Sequence, residues 1–342
     1  MLIITPQRTH FATTIAGAGP GSHFRAGSTT KTFTAASIML LDQRGALDID
    51  DVLTATIPGT SRPYLPAAPE YAIPHKEQIT IRELLDHRAG VFDVTNVTIP
   101  ATAHAPYAGQ RYIDWAVETF GSMHTFTLSE LSGVIAADQL EFTPPGETFH
   151  YSDTGYSLLA TIVEQVSGKT FAQFVGDEFL VPNGLGDTTF PDDGRTEMLP
   201  APFIAGMTLS QGQLSQLTHR NVSWGIGAGN VVTTPANLNK WIRLLLEGKA
   251  GVDPRQIARM SDCLPTGERH VAYGLGLECD VQQTLGLGHN GGITDILTAA
   301  RHAPQTDVTV VIFSNLYDAD DSYGELAMFY ETAGQALAIL GY

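Results

Sequence analysis

An α/β fold is what this sequence predicts: a sheet built from both ends of the chain, with a mostly helical region inserted between them. Three observations carry that prediction. β-Branched residues crowd the first sixteen positions and return in short apolar runs after residue 229. Between residues 79 and 179 the apolar residues instead recur at helical spacing. The chain has 342 residues, enough for a large core or for two subdomains.

The elements follow in order. Residues 1–16 read as strand material around a turn at Pro6-Gln7, and Gly17 to Gly21 as a loop. A helix opens at Ser28 and runs to about Gln43, with Gly45 placed to end it. It is apolar nearly all round (Phe33, Ala35, Ala36, Ile38, Met39, Leu40, Leu41), so it is buried on several sides and Ser28 sits at its mouth. Residues 55–78 are proline-rich and irregular. Thr80-Ile81-Arg82-Glu83 is a capping-box pattern that starts a short helix. Tyr156, Leu159, Ala160, Val163 and Val166 fall on one helical face, and Gly168 stops it.

Residues 185–222 are polar and weakly periodic, which reads as a long excursion or lid. Strands are expected over 229–233, 271–279, 284–289, 296–302 and 307–314. Helices are expected from Thr234 or Pro235 to Leu246 and from about Ser322 to Leu340. The implied division is a discontinuous sheet domain (1–50 and 186–342), a helical domain (51–185), and a site at their interface.

A net charge of −17 argues against a nucleic-acid partner, which requires a basic footprint. No apolar run is long enough to span a bilayer, so no membrane partner is expected. Cys263 and Cys279 lack zinc-type spacing and read as two free, mostly buried thiols, with one disulfide as the alternative. Eleven histidines include no H-E-x-x-H, so no metal is expected. The N-terminus has no basic stretch leading into a long apolar one. As written the chain reads as cytoplasmic, or as secreted or periplasmic if a leader was removed.

Three short patterns could carry chemistry. Ser28 has Lys31 three residues on, at a helix start where the two share a face. A serine becomes a useful nucleophile when a neighbour takes its proton. The bland alternative is an N-cap serine with a solvated lysine. Tyr151-Ser152-Asp153 precedes a helix, where Tyr151 is either a proton-transfer group or a packed aromatic. Gly288-His289-Asn290-Gly291-Gly292 lies on or beside a late strand, where glycines mark close approach of a ligand or backbone, or simply a bulge. Gly286, Gly288 and Gly291 also match G-x-G-x-x-G, but strand rather than helix follows, so a dinucleotide site is rejected. Neither G-x-S-x-G nor a Walker pattern occurs.

In this order, S-x-x-K, then the tyrosine motif, then H-x-G, the chain resembles the serine β-lactamase and penicillin-binding superfamily. The closest likeness is to its class C-like branch of D-Ala-D-Ala carboxypeptidases, D-aminopeptidases, D-amino-acid amidases and β-lactamase-like esterases. Phe24 to Ala35 looks like that family's nucleophile segment. Ile79 to Gly90 is similar to its T-I-R-x-L-L-x-H-x-S-G stretch, and Gly227 to Thr234 to its strand before the next helix. The likeness spans roughly residues 20 to 316. It implies an antiparallel sheet flanked by helices and a cofactor-free hydrolase working through an acyl-enzyme.

By that resemblance Ser28 is the nucleophile, Lys31 its network partner, and Tyr151 the general base and then acid. His289 stands where β-lactamases have the lysine of K-T-G, and the N–H groups of Ser28 and Gly292 form the oxyanion hole. Asp153, Asn290 and Gly291 would bind substrate or tune the site. Asp153 replaces the usual asparagine, which keeps Lys31 charged and shifts the base role to Tyr151. With His289 neutral as well, substrates ending in a carboxylate are disfavoured against neutral esters or amides bearing a free amine. The leading expectation is a carboxylesterase or D-amino-acid amidase/aminopeptidase acting on small esters, amides or D-amino-acid peptides. The alternatives are a D-Ala-D-Ala carboxypeptidase with weak β-lactamase activity, and a non-turnover penicillin-binding or scaffold protein. Little chain precedes the first strand, so either the C-terminal helix covers more of the sheet than in family members that carry a helix there, or the N-terminus is incomplete.

Overall fold

The structure is a computed structural model, and it describes residues 1–196, 198–267, 271–280 and 285–342. Its centre is an eight-stranded antiparallel sheet contributed by the two ends of the chain. The early strands are β1 (Leu2–Ile4), β2 (Thr9–Phe11) and β3 (Phe24–Gly27). A hairpin, β4 (Met207–Ser210) and β5 (Gln213–Gln216), precedes β6 (Val231–Thr233). The rest are β7 (Leu264–Pro265), β8 (Val271–Tyr273), β9 (Glu278–Asp280), β10 (Leu287–Ile293), β11 (Ile296–Ala303), β12 (Val308–Ser314) and β13 (Leu316–Asp318). In the main sheet the order is β2-β1-β12-β11-β10-β9-β8-β7. β3 and β6 pair separately, and β13, β4 and β5 make a third small sheet.

The helices are α1 (Thr30–Gln43), α2 (Ile81–Leu85), α3 (Tyr112–Phe120), α4 (Leu128–Asp138), α5 (Asp153–Ser167), α6 (Phe171–Val175), α7 (Pro235–Leu246), α8 (Pro254–Met260) and α9 (Ser322–Leu340). α1 is buried from Thr30 to Leu41, with the polar Lys31, Thr32, Thr34 and Ser37 buried beside its apolar residues. Phe33 stacks on Trp241 of α7 at 3.9 Å, and the Trp241 indole N–H donates to Thr32 Oγ1 at 2.8 Å. α9 closes the opposite face of the sheet: Ala333 and Leu337 pack on Ile3, Val308 and Val310, and Phe329 on Leu297 and Ile312. No helix among the described residues is long and apolar enough to cross a membrane.

The caps behave as the residue types dictate. Thr80 and Glu83 form the reciprocal capping box of α2, and Gly168 ends α5 in the left-handed region. α7 has Thr234 as N-cap and Pro235 inside its first turn.

Several expectations change. The thiols are not free: Cys263 and Cys279 form a disulfide that ties the end of α8 to β9. The β7-β8-β9 meander brings together residues sixteen apart, a proximity their spacing does not reveal. The stretch 185–222 is not wholly irregular, since it contains the β4–β5 hairpin, turning at Gln211-Gly212 with both residues at positive φ. Its strands are four residues each, and Met207, Leu209 and Leu214 are too few apolar positions to betray them. The strand expected over 271–279 is two strands, β8 and β9. Of the one expected at 284–289, residue 284 lies outside the described residues, and the strand, β10, runs from Leu287 to Ile293. α8 was not anticipated, although Asp253-Pro254 is an N-cap followed by a first-turn proline.

Candidate active site

The chain leaves β3 through Gly27, whose φ of 54° favours glycine, and turns into α1. Ser28 lies in that turn, two residues before the helix, which starts at Thr30 rather than at Ser28. Ser28 is not the cap: Thr29 holds that position without a side-chain bond. Lys31 is not solvated either. It is 0% exposed, and its ammonium donates to Ser28 Oγ at 3.2 Å, Asp153 Oδ1 at 2.6 Å and the Ala228 carbonyl at 3.0 Å. Both bland alternatives for Ser28 and Lys31 therefore fail on geometry.

Asp153 is the first residue of α5, after the N-cap Ser152, whose hydroxyl accepts from Gly155 N at 3.0 Å. Burial alone would raise the Asp153 carboxyl, but Lys31, Asn96 and Thr95 outweigh it and hold the group below its ordinary value. Its second oxygen accepts from Asn96 Nδ2 at 2.8 Å and Thr95 Oγ1 at 3.4 Å. Those residues belong to a tight turn closed by Asp93, which no motif had marked.

The Tyr151 hydroxyl faces Ser28, and both residues line the same cavity. Burial first, then the Asp153 charge, hold this phenol well above its ordinary range, with the Ser28 hydroxyl opposing them. The Lys31 ammonium lies 4.6 Å from the centre of its ring. On its other side Tyr151 packs against His87, with ring centres 4.3 Å apart. His87 Nδ1 accepts the Ser152 N–H at 3.1 Å, and burial keeps the imidazole neutral.

β10 brings the fourth piece. A Cβ on Gly27 would sit 2.9–3.1 Å from the Gly292 backbone, and one on Gly291 would sit 2.0 Å from the Ala26 carbonyl oxygen and 3.3 Å from Ser28 N. These two glycines let β10 lie directly against the Ser28 turn, so close backbone approach is what the glycines serve here. Ser28 and Gly292 thereby line the same cavity. Strand continues through Gly291, consistent with the absence of a helix after the G-x-G-x-x-G match.

His289 is buried against Tyr273, whose hydroxyl lies 2.8 Å from Nε2, while Nδ1 meets the Asn290 carbonyl. A carbonyl only accepts, so Nδ1 carries the proton and Tyr273 donates to Nε2. Burial lowers the imidazole to about 4, so it is neutral near pH 7. Its ring centre is 6.4 Å from that of Tyr151. Asn290, next along the strand, turns to the α9 face, where its Oδ1 accepts from Arg301 at 3.0 Å and Tyr330 at 2.8 Å. Arg301 also pairs with Glu278, which accepts the Asn290 N–H at 3.2 Å.

Ser28, Tyr151, Asp153, His289, Asn290 and Gly292 all line one cavity of about 990 Å³. Its described lining has four carboxylates, Asp93, Asp153, Glu278 and Glu331, against one cation, Arg301, already engaged by Glu278. Sequence reasoning missed Asp93, Asn96, Tyr273, Glu278 and Arg301. Asp93-Val94-Thr95-Asn96 does have the chemistry of an Asx turn, but nothing local says that the turn meets residue 153.

Known proteins are similar to this chain to different extents. Penicillin-binding protein 4* of Bacillus subtilis is 29% identical over 168 residues, 49% of this chain and 30% of that protein. This chain therefore spans about a third of that relative's length. The structure of a D-stereospecific amidohydrolase from Streptomyces sp. superposes with a TM-score of 0.74 at 23% identity, covering 92% of this chain and 88% of that one. That of the D-amino acid amidase from Ochrobactrum anthropi SV3, complexed with L-phenylalanine amide, gives 0.78 at 21% identity, covering 99% and 92%. The Beta-lactamase family model matches residues 2–333, nearly the whole sheet-and-helix frame that positions Ser28. The chain belongs to the β-lactamase family.

Proposed function

We propose that the protein is a serine hydrolase that cleaves small esters or amides through an acyl-enzyme on Ser28, at the junction of the sheet and the helical segment. The observation that carries this reading is the Ser28 hydroxyl held between the Lys31 ammonium and the Tyr151 phenol, at the mouth of the cavity. Ser28 Oγ attacks the substrate carbonyl carbon while its proton passes to the Tyr151 phenolate. The oxyanion is received by the N–H groups of Ser28 and Gly292. Tyr151 then protonates the leaving alcohol or amine as the carbonyl–heteroatom bond breaks. Water attacks the acyl-enzyme by the reverse proton route and releases the acid and free Ser28.

Asp153 sets Lys31's part: paired to a buried carboxylate, it serves as a fixed positive charge that favours the phenolate rather than as the base. Because Tyr151 is held as a phenol at rest, kcat/KM should climb between pH 7 and 9, and a flat profile would move the base role elsewhere.

The excess of carboxylates in the cavity supports neutral esters or amides with a free amine over substrates ending in a carboxylate. The amidase and amidohydrolase neighbours are consistent with that preference. The test is a panel of p-nitrophenyl esters, D-amino-acid amides, D-Ala-D-Ala peptides and nitrocefin, with fluorophosphonate labelling followed by mass spectrometry. Label is expected on Ser28, and Ser28→Ala should fold normally while losing at least about a thousandfold in kcat. Near-wild-type turnover by that variant would sink the reading.

A further inference from the structure

We propose that Asp93 and Asn96 are positioning residues that fix the Asp153 carboxylate and, through it, the Lys31 ammonium at Ser28. The proposal rests on the hydrolase reading above for its kinetic readout.

Each Asp153 oxygen has a different task. Oδ1 takes the Lys31 ammonium at 2.6 Å, and Oδ2 must be satisfied without pulling the carboxylate away. Asn96 does this with one amide nitrogen, which donates to Asp153 Oδ2 at 2.8 Å and to Asp93 Oδ2 at 2.9 Å. Both neighbours accept, so the amide can be oriented only one way. Asp93 Oδ2 also takes the backbone N–H of Asp153 at 3.2 Å, so Asp93 holds the main chain while Asn96 holds the side chain. The turn itself is closed onto Asp93 Oδ1 by Thr95 N at 3.0 Å, Thr95 Oγ1 at 2.6 Å and Asn96 N at 3.2 Å. Val94 N is anchored to Thr154 Oγ1 at 3.1 Å. Asp93, Thr95 and Asp153 are all at most 5% exposed.

A capping role for α5 does not account for this. Ser152 already caps the helix, and a cap has no use for an amide bridge to the carboxylate that pairs with Lys31. A second buried carboxylate beside Asp153 is costly for stability alone, since like charges repel in a dry site. Its return is the fixed placement of the Asp153 carboxylate that aligns the Lys31 ammonium on Ser28.

The experiment compares Asn96→Ala, Asn96→Asp and Asp93→Asn with the wild-type protein by ester kcat and KM, fluorophosphonate labelling rate and thermal melting. Asn96→Ala should lower kcat and labelling about tenfold or more with KM within about threefold, the signature of lost alignment rather than lost binding. Asn96→Asp is the discriminating variant. It fills the same space, so a merely structural role makes it milder than alanine. A clamp on a carboxylate makes it worse, because a third negative charge replaces the donor. Labelling within twofold of wild type in Asn96→Ala, or an aspartate variant more active than the alanine one, overturns the proposal. If Asp93→Asn fails to fold, the two Asn96 variants still decide. A wild-type protein that neither labels nor turns over would instead count against the hydrolase reading.

Discussion

Two buried ion pairs flank the cavity, and they differ in what else their cations reach. Lys31–Asp153 joins α1 to α5, with side chains 0% and 8% exposed. Arg301–Glu278 joins β11 to β9, with side chains 3% and 15% exposed. Both bring charge into a dry interior at a desolvation cost that the pairing must offset. The Arg301 Nη2 group is consumed by Glu278, Asn290 and Tyr330, and Nη1 goes to the Glu278 carbonyl. Lys31 has three hydrogens and divides them among Asp153, Ala228 and Ser28. The same interaction is architecture on one side and chemistry on the other: the buried Arg301 Nε–H meets no acceptor, whereas the third Lys31 hydrogen meets a nucleophile.

Breaking each pair from its cationic end tests that distinction most strongly. Lys31→Met and Arg301→Met each strand a buried carboxylate, and each should cost about 3–5 kcal/mol of stability in urea unfolding. Only Lys31→Met should also drop ester turnover to the level of Ser28→Ala. Folded Arg301→Met should retain measurable turnover and fluorophosphonate labelling. If both variants lose labelling equally while folded, the outer pair belongs to the chemistry and the contrast fails.

How far the sequence foretold these two regions follows the same contrast. Ser28, Lys31 and Asp153 sit in short patterns with local geometry: a helix start fixes the spacing of the first two, and another fixes Asp153. The buried α1, the α2 capping box and the bounds of α7 and α9 were equally legible, because periodicity and cap chemistry are local. Glu278, Arg301 and Tyr330 meet only because β9, β10 and β11 are neighbours and α9 folds back over them. Cys263 and Cys279 needed the same meander. Asp93 and Asn96 sit 60 and 57 residues from Asp153. No window on the sequence holds both ends of such a contact.

His289 lies between the two pairs and supplies a pH-dependent test. Its folded value of about 4 is below the usual 6.5, so the unfolded chain binds a proton that the folded one refuses. Its contribution is complete above pH 6.5 and is lost as pH falls toward 4. Buried Asp86, raised to about 7, and Asp295, raised to about 6, titrate in the opposite sense, so the raw profile of the wild type mixes them. His289→Gln isolates the histidine, because its amide oxygen can still accept from Tyr273. Between pH 6.5 and 4 the wild type should lose about 3 kcal/mol more than the variant. Parallel stability curves would show that His289 is not held neutral, and would remove one reason to disfavour substrates ending in a carboxylate.

The smallest effect concerns α2, which borders both regions. Its Leu85 carbonyl accepts from Tyr156 of α5 at 2.6 Å and from Gly276, in the turn before β9, at 3.3 Å. Gly276 has φ of 72°, and a Cβ there would sit 2.3 Å from Ala35 of α1, so this turn is fitted closely beside Lys31. α2 starts at the Thr80–Glu83 box, where Glu83 N donates to Thr80 Oγ1 at 3.2 Å and Thr80 N to Glu83 Oε2 at 2.8 Å. Thr80→Ala removes one half of that box and should cost about 1 kcal/mol by chemical denaturation. If the packed core around Leu85 fixes its carbonyl, as its burial implies, kcat should stay within about twofold of wild type, because the lost cap lies a full turn from the contact. A larger fall in kcat without a matching loss of stability would mean that α2 transmits its frayed start to the Lys31 side, and that the two pairs are coupled through it.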